Sequence, residues 1–231
     1  MKITSTLNIA SERFYGLIVG ESGIGKTSLV KTLPSPMARV LIGSAESGLL
    51  CLAGTDIPVY EFDNDMTWDS VCELVAYLKK DNGKTFDYIY IDSLTEIVEK
   101  LLAELKRDPK LSDPKNTFLL WGKLKEQMKI FLIAMRDLKE CSVIFTCLPA
   151  TEKDGLELKD IFKMPGGTKD DVKPLFDIVL HYKLFKDDDG STVRKLVTCT
   201  EESRLAKDRS GRLEKYEDPC LATIINKILK K

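Results

Sequence analysis

The stretch Gly20-Glu21-Ser22-Gly23-Ile24-Gly25-Lys26-Thr27 constrains this chain more than any other. It fits the spacing G-x-x-x-x-G-K-[ST], which lets a loop wrap a phosphate with successive backbone N–H groups pointing inward. Its glycines permit turns that a Cβ would block. The apolar run 14–19 (FYGLIV) before it reads as a buried strand, and the segment from Lys26 to about Thr32 reads as a helix. The start of that helix offers N–H groups and the positive end of its dipole to the same phosphates. The residues from Gly20 to Ser28 are therefore the expected nucleotide-binding loop. The Lys26 ammonium belongs on the β- and γ-phosphates and the Thr27 hydroxyl on Mg²⁺. ATP and Mg²⁺ are the cofactors this pattern calls for.

The rest of the chain predicts an α/β fold. Further strands are expected at 39–42, 59–62, 88–91 and 142–146. Amphipathic helices alternate with them. Val71, Leu74, Val75 and Leu78 share one face, and Leu94, Ile97, Val98, Leu101 and Leu105 share another. A long stripe runs through Trp121, Leu124, Met128, Phe131, Met135 and Leu138, within a helix from about 117 to 139. Strands separated by helices imply a largely parallel sheet with helices on both faces. The two prolines of 108–116 mark a loop, and 148–174 reads as polar and irregular. Strand-like runs at 177–185 and 192–199 flank Asp187-Asp188-Asp189-Gly190-Ser191, predicting an antiparallel hairpin. A last helix carries Leu221, Ile224, Ile225, Ile228 and Leu229. No composition break marks a linker, so 1–231 reads as one domain.

Composition excludes several classes. Lys+Arg 35 against Asp+Glu 36 leaves a net charge of −1, so no global basic field attracts nucleic acid. The six cysteines show no CxxC spacing and read as buried free thiols in a reducing compartment. No apolar run approaches the ~18 residues of a membrane span, and 1–10 has no signal-peptide core. A cytoplasmic protein without membrane partners is expected. His181, the one histidine, reads as structural.

Three positions qualify for the metal and water side. Asp92 follows the apolar run 88–91, at the sheet edge where ligands of open α/β sheets bind. There it suits a metal, although Asp92 or Ser93 equally suits the cap of the next helix. Glu46 follows the second strand and would activate water; the plainer reading is a solvated loop acid. Thr146 ends the fifth strand and either senses the γ-phosphate or simply suits a strand.

Together these pieces resemble the RecA-like ATPase core nearly end to end. Ala45-Glu46 looks like the position of the family's catalytic glutamate, and Ile91-Asp92-Ser93 resembles its Walker B strand end. Thr146 takes the place of its polar sensor, where RecA has glutamine. Gly166-Gly167, with Leu175-Phe176-Asp177-Ile178-Val179, resembles the stretch after the second DNA-binding loop, mapping that loop onto 148–173 and the first onto 106–118. Ala206-Lys207-Asp208-Arg209-Ser210-Gly211 is similar to the element that reaches a neighbouring subunit's ATP site. The resemblance thus implies catalytic roles for Lys26, Glu46, Asp92, Thr146, Lys207 and Arg209, and a ring or filament of identical subunits. The core-only size looks most like phage-encoded members of the family, some of which anneal single strands. That implies single-stranded DNA and a single-strand binding protein as partners, in a host cytoplasm. On pattern alone, Lys207 and Arg209 are plain surface charges.

Two rivals remain. A nucleotide switch could recruit replication or repair partners without touching DNA. In 148–173, five lysines meet six carboxylates and a single aromatic, Phe162. A small-molecule kinase ranks last, because that loop holds no arginine for a phosphate lid.

Overall fold

The computed structural model describes residues 13–34, 39–46, 48–62, 67–80, 82–154, 157–164, 172–199 and 206–229. Gly166-Gly167 and Lys169 to Asp171, part of the expected second DNA-binding loop, lie outside them.

The strands are β1 (Tyr15–Gly20), β2 (Val40–Ser44), β3 (Val59–Glu61), β4 (Tyr88–Asp92), β5 (Ser142–Cys147), β6 (Pro149–Asp154), β7 (Glu157–Phe162), β8 (Ile178–Lys186), β9 (Thr192–Val197), β10 (Lys207–Asp208) and β11 (Tyr216–Glu217). Among the described residues, nine form one sheet in the order β11-β9-β8-β1-β5-β4-β2-β3, with β10 against β8. From β8 to β3 all pairs are parallel; β9, β10 and β11 add antiparallel pairs. The expected α/β architecture, a mostly parallel sheet flanked by helices with a C-terminal antiparallel hairpin, is the observed one.

Period-two alternation decides which face each strand residue covers. Leu17, Val19, Leu41, Ile89, Ile91, Val143 and Phe145 pack under α1 (Trp68–Lys79), α2 (Leu94–Leu105) and α4 (Thr117–Arg136). Ile18, Val40, Ile42, Tyr88, Tyr90 and Ile144 join Leu221, Ile224, Ile225 and Ile228 of α5 (Leu221–Leu229) on the other face. Both faces are covered, which is why β1, β2, β4 and β5 are buried throughout.

Several expectations need correction. The helix after the phosphate loop is a 3-10 helix, Thr27–Thr32. Thr27, Val30 and Thr32 are β-branched, Leu29 N–H is shared between the carbonyls of Gly25 and Lys26, and Pro34 stops continuation. The 148–174 segment is not all irregular, since β6 and β7 pair as a separate antiparallel ribbon. That pairing is a backbone ladder and does not depend on the apolar alternation that marks a strand in sequence. Within 108–116 lie α3 (Pro109–Ser112) and a 3-10 turn, Pro114–Asn116. Asp108 and Asp113 cap them, each followed by Pro at the first helical position. The long helix stops at Arg136, short of 139, yet Leu138 is still buried. All six cysteines are free, but Cys51, Cys72 and Cys199 are exposed, not buried.

Candidate functional site

The phosphate loop leaves the carboxyl edge of the parallel strands from the end of β1. A Cβ on Gly20 would meet Tyr182 O at 3.1 Å, because β8 runs directly beside β1. Gly25 holds φ at +107°, closed to L side chains, and so turns the chain into the Thr27–Thr32 helix. Lys26 is buried, and its Nζ donates to Gly20 O at 2.8 Å and Glu21 O at 3.0 Å, inside the loop. Burial pulls its ammonium below the ordinary value, while Asp92 and then Glu46 act to raise it. Both carboxylates therefore share one electrostatic neighbourhood with Lys26. From beneath, the Tyr90 hydroxyl donates to Lys26 O at 2.7 Å. Burial, then Asp92, holds Tyr90 well above its ordinary 10.0, so it remains a donor.

Asp92, 4 % exposed, is the centre of the site. Thr27 Oγ1 donates to its Oδ2 at 2.5 Å, and Thr146 Oγ1 to its Oδ1 at 2.5 Å. The topology explains this: β5 lies between β1 and β4, so Thr146 at its end stands next to the Asp92 strand. Thr146 is fully buried. The helix cap is Ser93, whose Oγ accepts from Glu96 N, while Asp92 caps nothing. Glu46 is exposed, its backbone N–H donates to Asp92 O, and its Oε1 accepts from Ser93 Oγ at 2.5 Å.

The structure thus brings Lys26, Thr27, Asp92, Glu46 and Thr146 together. It does not bring Lys207 and Arg209 to them. Asp208 pairs with Ile178, level with Gly16, so the element sits at the amino edge of the sheet. Lys207 Nζ donates to Phe176 O at 2.6 Å, and Arg209 to Asp177 Oδ1 at 2.9 Å and Pro174 O at 2.7 Å.

A family model described as an AAA domain matches residues 13–210. The chain belongs to that family. It is a P-loop ATPase, with a nucleotide as its substrate. No curated protein matches this AAA domain chain. Among solved structures, the flagellar accessory protein FlaH from Methanocaldococcus jannaschii is similar at TM-score 0.40 and 12% identity, over 80% of this chain and 76% of that one. An ATPase from the type III secretion system of pathogenic bacteria is similar at TM-score 0.43 and 15% identity, over 74% of this chain and 52% of that one.

Sequence reading missed some of this AAA domain's site. A cavity of about 380 Å³ opens on the outer side of the loop, between Glu21, Ser22, Gly23, Pro149, Lys183 and Arg194. Lys183 and Arg194 reach it only because β8 pairs with β1 and β9 with β8, which no local pattern reveals. Among the described residues, no cluster of three or more His, Cys, Asp or Glu could hold an ion alone. The hydroxyl of Thr27 and the carboxylate of Asp92 are hard donors within reach of one cation. They fit Mg²⁺ if phosphate oxygens and water complete its shell. Among the described residues, no helix is long and apolar enough to cross a membrane.

Proposed function

We propose that this chain binds Mg-ATP at residues 20–28, hydrolyses it with Glu46 activating water, and acts on single-stranded DNA as a homo-oligomer. The convergence of Lys26, Thr27, Asp92 and Glu46 at one sheet edge carries the reading. Lys26 exchanges its loop carbonyls for phosphate oxygens and brings an ammonium to them. Thr27 and Asp92 would hold Mg²⁺, which when bound neutralises charge on the phosphates. Thr146 keeps Asp92 oriented. Lys183 and Arg194 add positive charge on the hairpin side of the loop. Lys207 and Arg209 lie at the sheet edge opposite their own loop. They therefore serve a neighbour's nucleotide, stabilising charge on its γ-phosphate in a ring or filament.

The DNA role is supported by the 106–119 segment. Lys106, Arg107, Lys110 and Lys115 outnumber Asp108 and Asp113, and Phe118 stands 88 % exposed beside exposed Leu119. A cationic segment next to an unburied aromatic suits stacked single-strand bases. Recombination or annealing in a phage, alongside a single-strand binding protein, is the biological setting this reading favours. The test is ATPase rate with and without single-stranded DNA, run with a size measurement. Stimulation by the strand in an assembled species is expected; a DNA-indifferent monomer refutes the DNA and oligomer parts.

One observation favours a second reading, an ATP-dependent switch that recruits replication or repair partners without binding DNA. The 148–173 segment carries more acid than base, and its Lys163 is tied to Glu99 at 2.6 Å. ATP hydrolysis with no gel shift of single-stranded DNA supports that reading instead.

A further inference from the structure

We infer that Ser93 is a positioning residue for hydrolysis, its hydroxyl proton holding the Glu46 carboxylate in place for the attacking water. The inference rests on the proposed role of Glu46 as the base.

A serine at a helix start is ordinarily explained by capping, and a cap needs only an acceptor. Ser93 uses a lone pair for that, accepting from Glu96 N at 3.3 Å. Its single O–H proton is surplus to the cap, and it is directed to Glu46 Oε1 at 2.5 Å. Ser93 is completely buried, and its own position is set from several sides. Asp92 O accepts from the N–H groups of Ala45 at 2.8 Å and Glu46 at 3.2 Å, tying the end of β2 to the residue before Ser93. Two residues further, Thr95 Oγ1 accepts from Leu148 N at 2.9 Å, tying the same helical turn to the end of β5. The first turn of α2 therefore cannot drift relative to the sheet edge.

Glu46 differs from Ser93 in every respect. It is exposed, on a loop, with three side-chain torsions to order. Among the described residues its Oε2 accepts no hydrogen bond, so one oxygen is anchored by Ser93 and the other remains for water. A flexible base is thus fixed by a rigid donor, the arrangement general-base geometry requires.

The test uses Ser93→Gly, since glycine is a tolerable cap but has no donor. Melting temperature and nucleotide Kd are expected to stay near wild type. The value of kcat is expected to fall roughly ten- to hundredfold with KM unchanged, the range for one hydrogen bond to a charged group. Ser93→Thr, which keeps the hydroxyl, is expected to restore kcat. In nucleotide-free protein, the side-chain carboxyl ¹³C signal of Glu46, assigned by its loss in Glu46→Gln, is expected to move in Ser93→Gly and stay in Ser93→Thr. Adding Ser93→Gly to Glu46→Gln is expected to cost nothing further. A wild-type or raised kcat in Ser93→Gly overturns the inference, as does a rate loss matched by a fall in melting temperature or an unmoved carboxyl signal. Full activity in Glu46→Gln instead removes Glu46 as base, a separate failure.

Discussion

The two edges of the parallel sheet are built in opposite ways. At the carboxyl edge, Thr27, Asp92 and Thr146 form a chain of short hydrogen bonds, with the carboxylate and the Thr146 hydroxyl buried between strands. At the amino edge, Lys207 and Arg209 rest on the carbonyls and carboxylate of 174–177, with the Arg209 and Asp177 side chains 50% and 39% exposed. The first arrangement is preorganised and leaves little to solvent. The second includes the exposed Arg209–Asp177 ion pair, of a kind that contributes about 1 kcal/mol or less. One edge is therefore closed to solvent, and the other stays partly open to it.

The largest expected effect lies at the carboxyl edge. Lys26→Ala is expected to weaken ATP at least about a hundredfold by calorimetry, because a charge-assisted contact inside the loop is lost. Wild-type affinity would erase the contrast between the edges. Thr146→Val keeps the shape and removes the donor to Asp92, leaving a buried carboxylate oxygen short of a partner. A stability loss of about 1–3 kcal/mol in denaturant, with slower hydrolysis, is expected. An unchanged midpoint would mean that Thr146 is an ordinary strand residue.

Phe118→Ala should leave the melting temperature unchanged, since the ring is exposed, and weaken single-strand binding by about 1–3 kcal/mol per stacked base. No change in a fluorescence titration would remove the aromatic from the DNA reading. Arg209→Ala sharpens the comparison from the amino edge. Nucleotide affinity is expected to hold and stability to change by less than about 1 kcal/mol, while the rate rise on assembly is lost. A rate that still rises with concentration would make Arg209 a bystander.

The smallest effect concerns the thiols. Burial pushes Cys141 and Cys147 up to about 11 from an ordinary 9.0. Both should resist alkylation at pH 8 in native protein, where exposed Cys51, Cys72 and Cys199 react. The folded state favours the protonated thiols. Their contribution is therefore complete below pH 9 and lost as pH rises toward 11, by up to about 1.4 kcal/mol per unit per thiol. Mass spectrometry after labelling and melts across that window check both.

Much of this was legible beforehand, for a physical reason. The apolar runs of β1, β2, β4 and β5 and the stripes of α1, α2 and α4 are local properties of the chain, so the buried strands and the covered faces were readable in one dimension. The phosphate loop is likewise contiguous, and Asp92 and Glu46 each follow an apolar strand. The β6–β7 ribbon was not legible, because a backbone ladder imposes no apolar pattern. Nor was the 3-10 form of Thr27–Thr32, where sharing of one N–H and a following proline outweighed the expectation of an α-helix.

By itself the sequence determined that this chain is an α/β P-loop ATPase and which strand ends carry its polar groups. Only the tertiary structure decided which of those groups meet. Strand order placed Thr146 on Asp92, the pairing of β2 with β4 brought Glu46 to Ser93, and the pairing of β8 with β1 brought Lys183 to the phosphate loop while leaving Lys207 and Arg209 at the far edge. Such pairings join residues distant in the chain, and local periodicity holds no information about which strands become neighbours.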